Sequence, residues 1–541
     1  MVEAIKELLK NYANNIKNKD NLEFYKRLIC KKYSLAAILN SDILKQYQLL
    51  VRAGDKRQLL LEHILRKRSV RTLSGIAPVA VLTKPYDCPG TCAYCPHEKD
   101  VPTSYLSNEP AVMRAIRCGY SPYKQVILRL KALENNGHEP TKIEIIVIGG
   151  TWSYLPTKYK YWYILNCFAA ANNYKKFRAQ DLLSEHNQLD FSINLRAPYK
   201  QNLKLVDLKK ALVREQKKNE TADYNIIGLT LETRPDYINE AELLEMRDLG
   251  CTRVEIGVQA VDDKILALNK RGHGVKEIVD ATALLRKYGF KITYHLMPAL
   301  PGATPAKDLS LFKKLFTDER FQPDQIKFYP TVVTKGSLLY HWYLKGEYKP
   351  YPDKVLQELI VKCKKVVPIY VRIIRLIRDI PEESIIAGNK ITNLRQIMKD
   401  RGVKCRCIRC REPQEQILKL SNVKLNCLKY AAAGGEEYFI SFDSRDDKTL
   451  FGFCRLRIDK NSPVSQSLVR ELHVYGKLVK IGGIKLVQHS GLGKRLLAEA
   501  EKISKKNSCS SLAVISGVGI RAYYRKFGYK LKNSYMVKDW K

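Results

Sequence analysis

The stretch Cys88-Pro-Gly-Thr-Cys92-Ala-Tyr-Cys95 places three cysteines on one short loop with C-x3-C-x2-C spacing. The run just before it, Val79-Ala-Val-Leu-Thr83, is apolar and β-branched, which predicts a buried strand. Three thiolates on one loop can hold three irons of a 4Fe–4S cluster and leave the fourth iron without a protein ligand. A zinc knuckle is the alternative, but it needs a fourth ligand, and His97 is the only local candidate in the sequence.

A cluster with one open iron is where radical enzymes bind S-adenosylmethionine and cleave it to a 5′-deoxyadenosyl radical. Tyr94, directly before the last cysteine, is also usual in that motif. We therefore expect Cys88, Cys92 and Cys95 to hold a 4Fe–4S cluster that works with S-adenosylmethionine.

Composition points to a large basic protein that carries metal. The 541 residues predict two or three domains, and 94 Lys+Arg against 55 Asp+Glu give a net charge of +39. Such a charge favours nucleic acid as the partner, although a lysine-rich genome would produce the same excess. Six of the 14 cysteines fall in two tight clusters, which indicates metal sites in a reducing compartment. With no signal-peptide pattern and no apolar run long enough for a span, we expect a cytoplasmic protein without a membrane partner.

Residues 1–70 show helical periodicity and end in a basic block. The block is either a solvated face or a phosphate-binding arm. On the second interpretation, the candidates for contact with nucleic-acid phosphates are Arg66, Lys67, Arg68 and Arg71.

Residues 71–385 alternate strand-like runs with helical stretches, which predicts parallel βα units in a partial or full TIM-like (β/α) barrel. The fold class is therefore α/β. Chemistry in such barrels lies at the carboxyl ends of the strands. The candidate S-adenosylmethionine contacts fall there: Gly149, Gly150, Thr151, Glu232, Arg234, Glu255 and Gln259.

Each of these candidates has a plainer alternative. Gly149 and Gly150 could form an ordinary turn, although glycines also let backbone approach a ligand closely. Glu232 and Arg234 could be a surface ion pair. Polar Glu255 and Gln259 in an apolar pattern need partners, which a ligand or a core network could supply. His295 is expected to form part of a pocket wall.

A second cluster, Cys405-Arg-Cys407-Ile-Arg-Cys410, lies in residues 386–413, which we expect to link two domains. Three thiolates suit zinc, and structural zinc takes four ligands. Cys363, His341 and Cys427 are the candidates for the fourth, and free structural thiols are the alternative.

Residues 414–541 predict an α+β domain of a different kind. Antiparallel strands are followed by Gln488-His-Ser-Gly-Leu-Gly-Lys494, a glycine loop that opens a helix and can bind pyrophosphate. This loop resembles the coenzyme A site of GNAT acetyltransferases. Tyr523 and Tyr524 resemble the GNAT tyrosine that gives a proton to the leaving thiolate, with helix packing as the alternative role.

The whole pattern resembles the catalytic subunit of Elongator, the tRNA uridine acetyltransferase family. The resemblance runs from about residue 68 to the end. It rests on ordered motifs that include Thr83-Lys-Pro85, the cysteine loop, Gly149-Gly-Thr151, Glu232-Thr-Arg-Pro-Asp236, Glu255-Ile-Gly-Val-Gln259, His295-Leu-Met-Pro298, Arg378-Asp-Ile-Pro381 and Arg470-Glu-Leu-His-Val-Tyr-Gly476. The short spacing of the first two cysteines favours a stand-alone archaeal or bacterial type over a subunit of the large eukaryotic assembly. Ala299 replaces a glycine that the family has.

The resemblance implies a function: carboxymethylation at carbon 5 of the wobble uridine in a tRNA anticodon stem-loop. Acetyl-CoA would supply the carbons, S-adenosylmethionine the radical, and an electron donor would reduce the cluster. The acetyl-CoA contacts that it implies are Lys84, Glu471, Leu472, His473, Val474, Gln488, His489, Ser490, Gly491, Leu492, Gly493, Lys494 and Tyr523.

Two other functions stay open at this point. One is a protein (histone) lysine N-acetyltransferase whose iron–sulfur domain is structural. The other is an RNA-binding module that uses only the basic surface. A homodimer is also open.

Overall fold

The computed structural model describes residues 1–66, 75–183, 199, 202–413, 423–476 and 491–540. Helices come first, as expected, and pack around their own apolar core, which includes Leu8, Ile29, Ile43 and Leu61. The four helices are α1 (Val2–Tyr12), α2 (Lys19–Lys32), α3 (Asn40–Arg52) and α4 (Leu59–Leu65).

Seven parallel strands in sequence order form the second part, here called the barrel sheet. They are β1 (Ala77–Leu82), β2 (Lys142–Ile148), β3 (Asn225–Thr233), β4 (Arg253–Gln259), β5 (Lys291–Leu296), β6 (Gln325–Phe328) and β7 (Arg372–Arg375). Among the described strands, β1 and β7 are not paired with each other. Of the two barrel types that the sequence allowed, the structure is thus the partial one, and its side is open between β1 and β7.

Helices connect these strands and cover the outside of the barrel sheet. They are α5 (Pro110–Arg117), α6 (Pro122–Asn135), α7 (Thr157–Leu183), α8 (Leu205–Asn219), α9 (Glu240–Asp248), α10 (Asp263–Leu268), α11 (Val275–Lys287), α12 (Pro305–Thr317), α13 (Leu338–Leu344), α14 (Asp353–Val366) and α15 (Leu394–Asp400). Several begin at a side chain that caps their first turn: Asn239 accepts from the Glu242 N–H, and Asp262 from the Ile265 N–H. Within the described residues, no helix combines the length and apolar character needed to cross a bilayer.

The C-terminal sheet has seven strands in the order β13-β14-β12-β11-β10-β9-β8. Its elements are β8 (Val423–Ala432), β9 (Gly435–Ser444), β10 (Leu450–Ile458), β11 (Ser467–Val474), α16 (Leu492–Lys506), β12 (Ser511–Val514), α17 (Arg521–Arg525), β13 (Lys530–Lys532) and β14 (Tyr535–Asp539). The antiparallel strands expected before the glycine loop include β9, β10 and β11.

The two sheets share a buried network of charges. Arg470 of β11 donates to Asp324 beside β6 at 2.6 and 2.8 Å and to Glu437 of β9 at 2.9 and 3.0 Å. Arg286 of α11 also donates to Glu437, at 2.8 Å. All four side chains are at most 1% exposed. Because each charge has its partner on another element, the network fixes the C-terminal sheet against the barrel sheet.

The domain boundaries at 70, 385 and 413 stay predictions.

Candidate active site

The cysteine loop begins six residues beyond β1, at the carboxyl edge of the barrel sheet. Backbone hydrogen bonds hold it from both sides: the Ala93 N–H donates to Asn269, and the Ala93 carbonyl accepts from Leu339. Cys92 is buried, while Cys88 and Cys95 are partly buried. The loop thus presents its three sulfurs from a fixed backbone.

The chemistry of the loop suits thiolate ligands. A hydrogen bond from Cys95 and the positive charge of Arg271 lower the pKa of Cys92 to about 4, against the effect of burial. Among the described residues, the three sulfurs are not part of any group whose ligand atoms all lie within 4.8 Å, which is the arrangement suited to one ion. His97 belongs to no such group either. The low pKa of Cys92 fits a thiolate ligand, which a 4Fe–4S cluster needs.

The segment Gly149–Thr151 after β2 lies beside the end of β1 and the cysteine loop. A Cβ on Gly149 would lie 2.2 Å from the Thr83 hydroxyl oxygen, so only glycine fits between the ends of β1 and β2. Gly150 has φ 103° and no atom within 4 Å of a Cβ position, so its backbone is open to a ligand. The Thr151 hydroxyl lies 4.0 Å from the Cys88 sulfur.

Four charged side chains form a chain of contacts inside the barrel. His295 lies between two carboxylates, with Nδ1 3.3 Å from Glu232 and Nε2 2.9 Å from Glu255. Glu255 also accepts from Lys327. Burial opposes its ionisation, but Lys327 and His295 outweigh burial and hold the pKa of Glu255 well below its usual value. The same carboxylates raise the pKa of His295 despite burial and the charge of Lys327, so the site can hold a proton on the imidazole.

Two buried acceptors in this region have no hydrogen-bond partner among the described residues. They are Oε1 of Glu255 and Oε1 of Gln259. Unsatisfied buried acceptors are uncommon in folded proteins, and both residues line the cavity described below. Gln259 also has φ 65°, a left-handed conformation that turns the chain at the end of β4. Both features fit contact with a ligand, which stays a prediction for these residues.

Arg234 is not the surface ion pair with Glu232 that the sequence allowed. It is 5% exposed. Its guanidinium donates to Asp236, to the Arg271 carbonyl and toward the Cys92 sulfur. Arg271 also donates to this sulfur, and sequence reasoning missed it because Lys270-Arg-Gly-His273 has the composition of an exposed basic loop.

The coenzyme A candidates meet where two strands separate. Among the described residues, β11 pairs with β12 at Leu468 and Val469, and the two strands separate beyond that point. The part of β11 that follows contains the predicted contacts Glu471, Leu472, His473 and Val474. At its end, a Cβ on Gly493 would lie 3.7 Å from Val474 and 2.8 Å from the Tyr523 hydroxyl. The start of α16, the end of β11 and Tyr523 therefore converge.

The two tyrosines have different surroundings. Tyr524 is 2% exposed and packs in the core of the C-terminal sheet, whereas Tyr523 is partly buried beside Gly493. Burial raises the pKa of Tyr523 to about 12, so its phenol stays protonated at neutral pH. Gly491 has φ 82°, and Leu492 and Lys494 open α16 after it. Gln488, His489 and Ser490 lie outside the described residues.

Lys84, a coenzyme A candidate, lies beside two aromatic rings, and Arg66, a tRNA candidate, contacts the backbone of the barrel half. The Lys84 ammonium lies 5.3 Å from the ring centre of Tyr159 and 5.5 Å from that of Tyr199. Arg66 donates to the Gly137 carbonyl at 2.9 Å, which ties the N-terminal helices to the barrel. Lys67, Arg68 and Arg71 lie outside the described residues. The ligand roles of these residues stay predictions.

The sulfurs of Cys405, Cys407 and Cys410 lie within 4.8 Å of one another. Within the described parts of the chain, this group has no fourth member, so Cys363, His341 and Cys427 do not join it. Hydrogen bonds from Cys405 and Cys410 hold the pKa of Cys407 well below its usual value. Three converged thiols of this kind suit a metal such as zinc better than inert packing.

One cavity of about 610 Å³ joins the two halves of the molecule. Its lining includes Pro78 and Ala80 of β1 and Arg372 and Ile374 of β7. The predicted residues that line it are Cys88, Cys92, Cys95, Gly150, Thr151, Glu232, Arg234, Glu255, Gln259, His295, Glu471 and His473. Cluster candidates and two of the acetyl-CoA candidates thus face a shared space.

Comparison with known proteins agrees with this geometry. The radical SAM superfamily model matches residues 84–314, and the radical SAM C-terminal domain model matches residues 323–402. The tRNA uridine(34) acetyltransferase of Dehalococcoides mccartyi is 44% identical over 489 residues, which cover 87% of this chain and 99% of the relative. Elongator complex protein 3 of Drosophila melanogaster is 37% identical, covering 99% of this chain and 95% of the relative.

A solved structure is similar over most of the chain. The archaeal Methanocaldococcus infernus Elp3 with an N-terminal deletion matches with a TM-score of 0.69 and 35% identity, covering 86% of this chain and 99% of that one. This chain therefore belongs to the radical SAM family of tRNA uridine(34) acetyltransferases and Elongator complex protein 3.

Proposed function

We propose that this chain modifies the wobble uridine of tRNA and that it uses acetyl-CoA and S-adenosylmethionine to install a carboxymethyl group at carbon 5. The observation that carries this proposal is the shared cavity, which Cys88, Cys92 and Cys95 line together with Glu471 and His473. An enzyme that only transferred acetyl groups to an amine would not need the cluster cysteines and the acetyl-CoA candidates to line the same cavity. The names of its relatives support uridine 34 of tRNA as the substrate.

Cys88, Cys92 and Cys95 would hold the 4Fe–4S cluster, and Gly150 and Gln259 would contact S-adenosylmethionine. When bound, the cluster and S-adenosylmethionine together supply a 5′-deoxyadenosyl radical, which can take hydrogen from an unactivated methyl group. The end of β11, where it separates from β12, would bind the pantetheine arm through backbone hydrogen bonds, as in a strand addition. Tyr523 would hold the proton that the coenzyme A thiolate needs on leaving.

The remaining parts of the chain would serve the nucleic acid and the metal. The net charge of +39 suits the phosphates of an anticodon stem-loop, with Arg66, Lys67, Arg68 and Arg71 as candidate contacts. A separate one-electron donor would reduce the cluster. Cys405, Cys407 and Cys410 would hold zinc and join the barrel sheet to the C-terminal sheet.

Deuterium tests the proposal directly. The protein is incubated without oxygen with tRNA, S-adenosylmethionine, a reductant and acetyl-CoA that carries a CD3 group, and the products are analysed by mass spectrometry. We expect one deuterium in 5′-deoxyadenosine and two in the carboxymethyl group of the wobble nucleoside. Deuterium in neither product, with acetylated lysine on added protein, would establish the lysine acetyltransferase instead.

Paired cysteine variants separate chemistry from binding. Cys92→Ala should abolish the modification and leave tRNA affinity near normal, because the loop serves the cluster rather than the RNA. Cys118→Ala is the matched control, since Cys118 is equally buried at the end of α5 but does not line the cavity. A large loss of tRNA affinity in Cys92→Ala alone would mean that the loop is mainly structural.

A further inference from the structure

Two buried guanidiniums meet at the sulfur of one cysteine. Nη1 of Arg271 lies 3.2 Å from the Cys92 sulfur, and Nη1 of Arg234 lies 3.9 Å from it. The two arginines are 6% and 5% exposed, and they come from the segments that follow α10 and β3. By contrast, the polar neighbour of the Cys88 sulfur is a neutral hydroxyl, that of Thr151 at 4.0 Å.

Both guanidiniums are held in place by other groups. Arg271 donates through Nη2 to the Gly257 carbonyl at 2.6 Å. Arg234 donates through Nη2 to the Arg271 carbonyl at 2.7 Å and through Nε to Asp236 at 3.0 Å. These hydrogen bonds therefore hold Nη1 of each arginine in the direction of the Cys92 sulfur.

Glycines on three segments make room for these side chains. A Cβ on Gly90 would lie 2.1 Å from Nη1 of Arg234, and a Cβ on Gly257 would lie 2.5 Å from Nη2 of Arg271. On Gly272 it would lie 3.3 Å from Nη2 of Arg234. Any larger residue at Gly90 or Gly257 would displace a guanidinium, so the surrounding backbone is shaped around this pair.

We propose that Arg271, assisted by Arg234, sets the reduction potential of the cluster by hydrogen bonding to the Cys92 sulfur. Reduction potentials of iron–sulfur clusters depend on net charge and on hydrogen bonds to the sulfurs. Two buried positive charges favour the form that carries one more electron, and burial strengthens their effect. Both arginines are positioning residues, because they act through Cys92. The inference rests on the proposed function, since it requires a cluster on the cysteine loop.

The test is a potentiometric titration of the full-length reconstituted protein, read by electron paramagnetic resonance without tRNA or acetyl-CoA. Dithionite supplies the electron. For Arg271→Met we expect a more negative potential, with at least a tenfold change in the reduction equilibrium, which is 59 mV for one electron. Arg234→Met should shift it less, because its nitrogen is farther from the sulfur. Arg253→Met is the control, since Arg253 lines the same cavity but donates to Thr230 and Gln325.

Several outcomes separate this inference from the proposed function. A wild-type protein that binds no iron–sulfur cluster would overturn both. Full iron content with the wild-type potential in Arg271→Met would overturn only the role of the arginines. If Arg271→Met loses its cluster, Arg271→Gln and Arg234→Met decide, because both remove a positive charge, and wild-type potentials in both would overturn the inference.

Discussion

Arg470→Leu should be among the most destabilising substitutions outside the active site. Arg470 is fully buried and donates to three acceptors: Asp324, Glu437 and the Phe290 carbonyl. Leucine fills part of the space but leaves two buried carboxylates short of a cation. The change therefore tests whether the interface between the barrel sheet and the C-terminal sheet depends on this network.

The expected loss follows from what remains after Arg470 is removed. Breaking a buried ion pair by deleting one partner costs about 3–5 kcal/mol. Asp324 would keep Arg455 at 3.5 Å, and Glu437 would keep Arg286 at 2.8 Å. Because neither carboxylate is left entirely alone, we expect the lower end, about 3 kcal/mol of unfolding free energy.

Urea unfolding measures this loss. Tryptophan fluorescence comes from Trp152, Trp162 and Trp342 in the barrel half and from Trp540 at the end of the C-terminal domain. Circular dichroism reports on the whole chain, so both signals should shift together. Arg320→Leu is the matched control, because Arg320 pairs with Asp318 at 2.6 Å on the surface, where an ion pair contributes little to stability. Asp324→Asn should restore part of the loss when it is combined with Arg470→Leu. Equal losses in the two single arginine variants would refute the reasoning.

Three further changes test other parts of the molecule. Tyr523→Phe should slow coenzyme A release at least tenfold, measured as free thiol, because of the two tyrosines Tyr523 is the one beside Gly493. Tyr524→Phe should not slow it, and equal rates in all three proteins would remove the proton-donor role. Glu471→Gln should flatten acid unfolding, followed by circular dichroism. Burial opposes ionisation, but Lys291 and Arg455 hold the pKa of Glu471 at about 2. Its stabilisation is thus complete above about pH 4.5 and lost as pH falls toward 2, so an unchanged acid profile would contradict this assignment. Cys407→Ser should lower bound zinc and leave iron unchanged in metal analysis, whereas loss of iron alone would contradict the separation of the two cysteine sites.

The strands of the barrel sheet were largely predictable from sequence, because β2 to β5 are apolar runs between turn residues. β7 was not predicted, because it consists of only two apolar residues between Arg372 and Arg375. Tertiary contacts permit it: Arg372 pairs with Glu412 and donates to Tyr475, which lies on the C-terminal domain. A single strand pattern cannot reveal partners that lie more than thirty residues away.

The candidate site was predictable where spacing carries the chemistry, as in the cysteine loop. It was not predictable where distant segments meet. Arg271 is 179 positions from Cys92 in the chain, and nothing in its local sequence indicates burial. Likewise, the basic composition was first explained by a polyanion, yet Arg286 and Arg470 are neutralised inside the protein. Because these buried arginines are paired with acids, they do not contribute to the net positive charge that a polyanion would meet.

The open side of the barrel has a consequence for solubility. A strand without a neighbour exposes backbone groups that can pair with another molecule, which is a common start of aggregation. Around β7, Arg395 donates to the Ile373 carbonyl, and the Ile408 N–H donates to the Val371 carbonyl. Ile408 lies between Cys407 and Cys410, so the segment that we propose to hold zinc also shields this edge. Removing the metal should therefore make the protein precipitate before it unfolds.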